Sequence, residues 1–174
     1  MIRYSYDMNS GPKRKVVCHD IYGKLYKVPA DKLSFRPSVY GVIIRGSKIL
    51  LSKQWDGYDF PGGGIKLDET VEEALMREVK EETGLRVRMG KIVACQSSFF
   101  KLPSSGNYVN AVLVYYLCAI AGGKISTDYF DAHEKEYAGK AEWLDISKVG
   151  TVKFYNSVDN CKVVEEAQRI KNCK

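Results

Sequence analysis

Residues 70–84 constrain the fold most strongly, because they carry both a start and a stop signal for a helix. Thr70 and Glu73 have the spacing of a capping box, in which each side chain binds the backbone amide of the other residue. Gly84 follows as a natural stop, since glycine readily adopts the left-handed conformation that ends many helices. We therefore predict a helix over residues 70–83.

Acidic side chains continue the buried face of this predicted helix. At about 100° per residue, Val71, Ala74 and Leu75 fall on one side and form the stripe expected to face the core. A surface helix normally turns its acids to the opposite side. Because an unpaired carboxylate is costly to bury, acids on the core side need a counter-charge, water or a metal ion. That side of the helix carries three carboxylates, those of Glu78, Glu81 and Glu82.

The chemistry of these glutamates favours a hard cation. Neighbouring carboxylates repel each other, and a divalent ion relieves that repulsion. Oxygen ligands without cysteine or histidine select Mg²⁺, with Mn²⁺ as a substitute. Two alternatives stay open at this point: the acids form an ordinary solvated helix end, and Arg77 simply pairs with one of them.

The residues before the helix are rich in glycine. Pro61-Gly62-Gly63-Gly64 and the earlier Asp56-Gly57 predict an irregular loop rather than a strand or a helix. Consecutive glycines let the backbone approach another group closely, and a glycine loop that leads into a helix can bind phosphate. The spacing differs from that of a P-loop, because no Gly-Lys-Ser or Gly-Lys-Thr follows.

Strand patterns dominate the rest of the chain, and a second helix closes it. This arrangement predicts a mixed α/β or α+β sandwich. The predicted strands cover residues 15–21, 25–28, 39–44, 48–53, 86–99 and 108–119, and the last helix covers residues 158–171.

The glycine loop and the helix together form a longer pattern. Gly63 is followed, after five residues, by Glu69 and, after seven more, by Arg77-Glu78-Val79-Lys80-Glu81-Glu82-Thr83-Gly84-Leu85. This pattern resembles the Nudix box of the Nudix hydrolases, and every fixed position of the box is filled. The preceding hairpin and Glu142-Trp143-Leu144 downstream are also similar to the family, so the resemblance covers residues 39–147.

The resemblance implies a fold and a division of the chain. The implied fold is of the α/β class, a Nudix-type α/β/α sandwich with a mixed β-sheet. We expect the Nudix hydrolase domain at residues 37–174, preceded by an N-terminal β-rich extension at residues 1–36.

The resemblance also implies the reaction, which is Mg²⁺-dependent hydrolysis of a pyrophosphate bond in a nucleoside diphosphate linked to another moiety. Arg77 is implied to orient the glutamates through charged hydrogen bonds, and Glu69 to brace the motif. The implied metal ligands are the carbonyl oxygen of Gly63 and the carboxylates of Glu78, Glu81 and Glu82, and these glutamates are also the implied catalytic groups.

In many Nudix hydrolases one more glutamate, on a loop well after the box, binds metal or acts as the base. The best match here is Glu136, which precedes Trp143, and Glu134 is the next candidate. We therefore expect Glu136 to be catalytic.

Substrate recognition lies outside the box. The aromatic residues expected to stack a nucleobase are Tyr58, Phe99 and Tyr108, with Phe100 and Trp55 as further candidates, and core packing is the alternative role of each. ADP-ribose pyrophosphatases are expected to carry a proline nearer to the box than Pro103 is. We therefore favour a (d)NTP or a similar small nucleotide. The alternatives are an ADP-ribose or nucleotide-sugar pyrophosphatase, an RNA 5′-end pyrophosphohydrolase and a non-catalytic nucleotide-sensing module.

Composition and net charge indicate the size, location and partners of the protein. The 174 residues, 45% of them hydrophobic, suit one domain, and they include no signal peptide or membrane-spanning run, so we expect a cytoplasmic protein without a membrane partner. A net charge of +6 suits an anionic partner, but the lysines are scattered, which favours a small nucleotide over nucleic acid.

The five cysteines fit no disulfide or zinc pattern and are predicted to be buried thiols. The N-terminal segment is expected to add strands, cover the pocket or form a homodimer surface.

Overall fold

The computed structural model describes residues 14–103, 105–130, 132 and 134–173. The strands are β1 (Lys15–His19), β2 (Leu25–Pro29), β3 (Ser34–Arg45), β4 (Lys48–Gln54), β5 (Gly57–Asp59), β6 (Gly62–Gly64), β7 (Leu85–Lys101), β8 (Tyr108–Gly123) and β9 (Ala138–Asp145). The helices are α1 (Val71–Thr83), α2 (Glu134–Tyr137) and α3 (Asn160–Asn172), with 3₁₀ turns at Ala30–Lys32 and Ile146–Thr151.

One mixed sheet contains all of these strands. Its order is β2-β1-β7-β8-β3-β4-β5, with β6 paired to β3 and β9 paired to β4. Strands β3 and β8 run parallel from the pair Ser34–Val109 to the pair Ile43–Cys118. β1 also runs parallel to its neighbour β7, and the remaining pairs are antiparallel. The predicted mixed sheet is confirmed.

Helices cover both faces of the sheet. Successive residues of a strand point to opposite faces, so β3 contributes to two separate cores. Val39 of β3 packs with Leu75 of α1, whereas Val42 of β3 packs with Val163 and Ala167 of α3. This is the α/β/α sandwich that the sequence predicts.

The described part of the N-terminal segment belongs to the same sheet as the rest of the chain. Strands β1 and β2 form the predicted first hairpin and lie at one edge, where His19 pairs with Phe100 of β7. Strand β3 starts at Ser34, before the expected boundary between residues 36 and 37. Residues 1–13 of the expected extension lie outside the described residues.

The glycine-rich segment is not the irregular loop that the sequence predicts. Gly57–Asp59 and Gly62–Gly64 are short strands, paired with β4 and β3 respectively. Glycine makes the second pairing possible, because Gly62 has a φ of 154° and a β carbon there would lie 2.2 Å from the carbonyl oxygen of Val39. Strand propensities penalise glycine and cannot register such a close approach.

Two predictions about burial also need correction. Val71 is exposed although it lies on the predicted core-facing stripe, because it is the first residue of α1 and the angular pattern carries no information about depth at a helix end. All five cysteines are free, as predicted, but only Cys18 and Cys118 are buried. The exposed thiols are those of Cys95, Cys161 and Cys173.

Within the described ranges, no helix has the length and apolar character needed to cross a membrane.

Candidate functional site

Caps at both ends hold helix α1 in place. The hydroxyl of Thr70 accepts a hydrogen bond from the Glu73 amide at 3.2 Å, and the Glu73 carboxylate accepts one from the Thr70 amide at 2.8 Å. At the other end Gly84 has a φ of 76°, and its amide donates to the Lys80 carbonyl at 2.8 Å. The predicted capping box and glycine stop are both confirmed.

Strand β6 lies directly against the face of α1 that carries Glu78, Glu81 and Glu82, called the glutamate face below. A β carbon at Gly63 would be 2.7 Å from both Cδ and Oε1 of Glu78, closer than real β carbons approach another atom. Only glycine therefore lets the backbone reach this carboxylate. The structure thus brings together Gly63 and Glu78, which the sequence analysis places in one metal site.

Arg77 forms the centre of a charged network beside these residues. Its Nη2 donates to Glu69 at 2.8 Å and to the Gly64 carbonyl at 3.2 Å. Its Nη1 lies 2.8 Å from Glu78 Oε1 and 2.9 Å from Glu81 Oε2. The hydrogen bonds from Arg77 lower the pKa of Glu69 to about 2, so this carboxylate stays charged. Arg77 therefore links Glu69 and strand β6 to two of the glutamates of α1, and these are the contacts that its implied orienting role requires.

Glu82 occupies a different environment from Glu81. Its Oε2 accepts hydrogen bonds from the Ser52 hydroxyl at 2.7 Å and from the Gly62 amide at 3.1 Å. Burial raises the pKa of Glu82 well above its ordinary value, and the nearby charge of Glu78 raises it further. A cation beside the two carboxylates would remove this electrostatic cost.

The donor chemistry of the glutamate face fits a divalent cation, although its ligands are not gathered into a cage. No group of three or more His, Cys, Asp or Glu side chains in the described ranges has the geometry to hold a metal ion. In this arrangement Glu81 accepts a hydrogen bond from Arg77, and Glu82 accepts one from Ser52. The face nevertheless offers carboxylate oxygens alone, within about one helical turn, and these are the ligands that Mg²⁺ prefers.

The glutamate face opens into a cavity of about 260 Å³, referred to below as the cavity. Gly63, Glu78 and Glu82 line it, whereas Arg77 and Glu81 do not. Tyr40, Leu102 and Pro103 also contribute to its wall. Two of the predicted ligand side chains, those of Glu78 and Glu82, therefore line this cavity.

The other predicted site residues lie elsewhere. Tyr58 donates a hydrogen bond to Glu142 at 2.9 Å, and Phe99 and Tyr108 pack in the small core under β1 and β2. Glu136 is exposed and lines a neighbouring cavity, although the adjacent Tyr137 lines both. None of these four residues lines the cavity that holds Glu78 and Glu82.

Several residues of the cavity wall were not predicted. Asp59 of β5 is partly buried, and its Oδ1 accepts hydrogen bonds from the Asn156 amide at 2.7 Å and the Phe60 backbone at 2.8 Å. Burial raises the pKa of Asp59 to about 6. Arg36 is the one lysine or arginine among the described residues of the wall. No local motif marks either residue, because β3 and β5 meet the glutamate helix only in the folded chain.

Aromatic rings close another part of the cavity. Trp55 stacks on Tyr137 with 4.6 Å between ring centroids and meets Tyr155 edge to face at 5.0 Å. Trp55 has a φ of 44°, the one positive φ at a non-glycine position among the described residues. A left-handed backbone is costly for a bulky residue and is often retained where a side chain must be aimed. Phe100, a further candidate in the sequence, also lines the cavity.

Comparison with known proteins agrees with this geometry. A family model described as NUDIX domain matches residues 34–164. A relative from Methanocaldococcus jannaschii, named ADP-ribose pyrophosphatase, is 27% identical over 173 residues, covering 91% of this chain and 94% of the relative. The putative 8-oxo-dGTP diphosphatase YtkD of Bacillus subtilis is 45% identical over 73 residues, covering 40% of this chain and 46% of that relative.

A solved structure has the same fold. The crystal structure of an ADP-ribose pyrophosphatase from Streptococcus suis superimposes with a TM-score of 0.60 at 20% identity, covering 80% of this chain and 93% of that one. At this identity the likeness concerns the fold alone.

Proposed function

This chain belongs to the NUDIX family and is a pyrophosphohydrolase of phosphorus anhydrides, and we propose that its substrate is a nucleoside diphosphate esterified to a sugar-like group, as in ADP-ribose. The reaction breaks the P–O–P bridge by addition of water. Its products are a nucleoside monophosphate and a phosphorylated second group.

The balance of acidic and basic side chains in the cavity wall supports this choice of substrate. Its wall presents the carboxyl groups of Asp59, Glu78 and Glu82 and a single arginine, Arg36. A terminal phosphate titrates to nearly two negative charges, so a nucleoside triphosphate carries roughly twice the charge of a doubly esterified diphosphate. Even with Mg²⁺ held by Glu78 and Glu82, these side chains and the ion would sum to about zero charge, so the wall offers no positive surplus for the extra charge of a triphosphate. The relative that aligns along nearly its whole length is named ADP-ribose pyrophosphatase, which supports the same class.

The glutamates of α1 are the proposed site of Mg²⁺, with Mn²⁺ as a substitute. Glu78, Glu81, Glu82 and the Gly63 carbonyl would hold the ion, which when bound neutralises phosphate oxygens and activates a water molecule. Arg77 orients Glu78 and Glu81 through the contacts described above. Glu69, kept charged by Arg77, anchors that arginine to the start of α1.

A carboxylate must accept the proton that the attacking water loses. Glu136 remains the proposed acceptor, since it precedes Tyr137, whose ring lines the cavity. The exposed position of Glu136 gives it access to solvent, to which the proton can pass. If Glu136 has this role, E136Q lowers kcat by at least about 100-fold without changing metal affinity.

Trp55 and Phe100 are the proposed platform for the nucleobase. Both rings line the cavity, and the contact with Tyr137 already fixes the orientation of Trp55. Base–aromatic stacking tolerates any base, so this platform supports nucleoside binding without selecting one base. We propose these two residues for base stacking instead of Tyr58, Phe99 and Tyr108, because the latter three do not line the cavity.

A substrate screen in Mg²⁺ tests the proposal. ADP-ribose, UDP-sugars, nucleoside triphosphates and 5′-triphosphorylated RNA are incubated with the purified protein, and nucleoside monophosphate and diphosphate products are separated by chromatography. We expect the highest kcat/KM on ADP-ribose or a UDP-sugar. A higher kcat/KM on triphosphates would instead support the (d)NTP assignment, and salt-sensitive activity on RNA would support an RNA 5′-end role. Absence of any product would indicate a nucleotide-sensing module.

A further inference from the structure

A single arginine balances the acids of the cavity. Arg36 lies on β3, and no other lysine or arginine lines the cavity among the described residues. It makes no ion pair with another described residue, and its one hydrogen bond runs from Nε to the Ser38 hydroxyl at 3.4 Å. Most of the guanidinium donors of Arg36 therefore lack an acceptor among the residues that the structure describes.

The glycine strand β6 explains why Arg36 is not neutralised by the nearby glutamates. Successive residues of a strand face opposite sides. Gly63 faces the carboxylate of Glu78, whereas a β carbon at Gly64 would lie 2.8 Å from Nη2 of Arg36. The strand therefore stands between the two opposite charges, while both still line the cavity.

Tyr40 lies on the same strand as Arg36 and adds a neutral donor to the cavity wall. Its backbone pairs with Gly62, and its ring stacks on Tyr115 with 5.1 Å between centroids, so the ring is held in place. Burial raises the pKa of Tyr40 above its ordinary value, and the charge of Asp59 raises it further. The phenol therefore keeps its proton and can donate a hydrogen bond to an anion.

We propose that Arg36 and Tyr40 form a phosphate subsite that binds the non-bridging oxygens of the substrate diphosphate directly, on the side of β6 away from Glu78. A guanidinium fork suits two oxygens of one phosphate, and the carboxylates of α1 serve the cation on the other side. The subsite rests on the proposed function, since it assigns the group that the cavity binds.

Phosphate binding and turnover together test the subsite. Affinity for inorganic phosphate is measured by calorimetry in Mg²⁺, and KM and kcat are measured with ADP-ribose and a UDP-sugar. In R36Q we expect phosphate affinity to fall, and KM to rise, at least about 10-fold, the size of a lost charged hydrogen bond, with a smaller change in kcat. R36K should recover part of the loss, and Y40F should weaken binding less than R36Q.

Two further variants separate the subsite from general damage. R45Q is the matched control, because Arg45 lies on the same strand but stacks on Trp143 at 4.3 Å, outside the cavity wall. It should bind phosphate like the parent. G64A should reproduce part of the R36Q loss, since its new β carbon displaces the flexible guanidinium and leaves the backbone unstrained.

The outcomes distinguish the subsite from the proposed substrate. Equal phosphate affinity in the parent and R36Q, or no phosphate binding by the parent, would overturn the subsite. If the parent cleaves neither ADP-ribose nor a UDP-sugar but loses phosphate affinity in R36Q, the proposed substrate is wrong and the subsite stands.

Discussion

The carboxylate of Glu78 lies so close to the α carbon of Gly63 that a β carbon at Gly63 would be 2.7 Å from it. The contact joins strand β6 to helix α1 at the point where the proposed metal site and the cavity meet. Close packing of β6 against the Glu78 carboxylate therefore requires glycine at position 63. This requirement is separate from the proposed role of the Gly63 carbonyl oxygen as a metal ligand.

Substitution of Gly63 by alanine should displace the Glu78 carboxylate. We expect G63A to lower kcat/KM about 100-fold, since a shift of about 1 Å at a catalytic group has an effect of that size. The measurement is steady-state hydrolysis in Mg²⁺ together with the thermal midpoint. G139A is the control, because the three atoms nearest to its β carbon all belong to the flexible Lys53 side chain, at 3.2 Å or more. Parental kinetics in G63A would show that the contact is dispensable.

The ion pair between Arg77 and Glu69 should make stability depend on pH in the acid range. Hydrogen bonds from Arg77 lower the pKa of Glu69 from 4.5 to about 2 in the folded protein. This stabilisation is therefore complete above pH 4.5 and is lost as the pH falls towards 2. Urea unfolding of E69Q between pH 7 and pH 3 should show lower stability at neutral pH and a smaller loss on acidification than in the parent.

The exposed Glu72 provides the comparison for that experiment. It lies in the first turn of α1, and E72Q removes one carboxylate from the same helix without touching Arg77. We expect E72Q to follow the parental pH dependence. An E69Q curve parallel to the parental one would mean that the ion pair does not contribute to folding stability.

Trp55 should contribute more to substrate affinity than Tyr58 does. We expect W55A to raise KM about 10-fold, the equivalent of one lost stacking contact, with a smaller effect on kcat. Tyr58→Phe removes only the hydrogen bond to Glu142 and should leave KM near the parental value. Michaelis–Menten kinetics on the best substrate compare the two. A larger effect at Tyr58 would favour the original sequence-based assignment over the cavity wall.

The parts of the site that lie on one continuous segment were predictable from the sequence. The capping box of Thr70 and Glu73 and the stop at Gly84 depend on local spacing, and the structure contains both. Arg77 also contacts Glu69, eight positions earlier, as its implied bracing role requires. The strand and helix patterns predicted a mixed α/β or α+β sandwich, and the family resemblance implied the α/β/α arrangement that the structure has.

The parts that depend on contact between distant segments were not predictable in this way. Arg36 and Asp59 enter the cavity through strand pairing, and no local pattern marks them. Aromatic residues show the same limit, because Phe99 and Phe100 point to opposite faces of β7 and only Phe100 lines the cavity. The short strands formed by glycine were missed because close backbone approach outweighs propensity there.

The most direct test of the central claim compares the parent with E82Q over a range of Mg²⁺ concentrations. Glu82 lines the cavity and is held by Ser52 and the Gly62 amide, contacts to oxygen that glutamine can retain in part. Product release from ADP-ribose is followed at each concentration, with circular dichroism as a check on folding. We expect activity that requires Mg²⁺ in the parent and a kcat at least about 100-fold lower in folded E82Q. Hydrolysis by the parent without a divalent cation, or near-parental turnover by E82Q, would contradict the account.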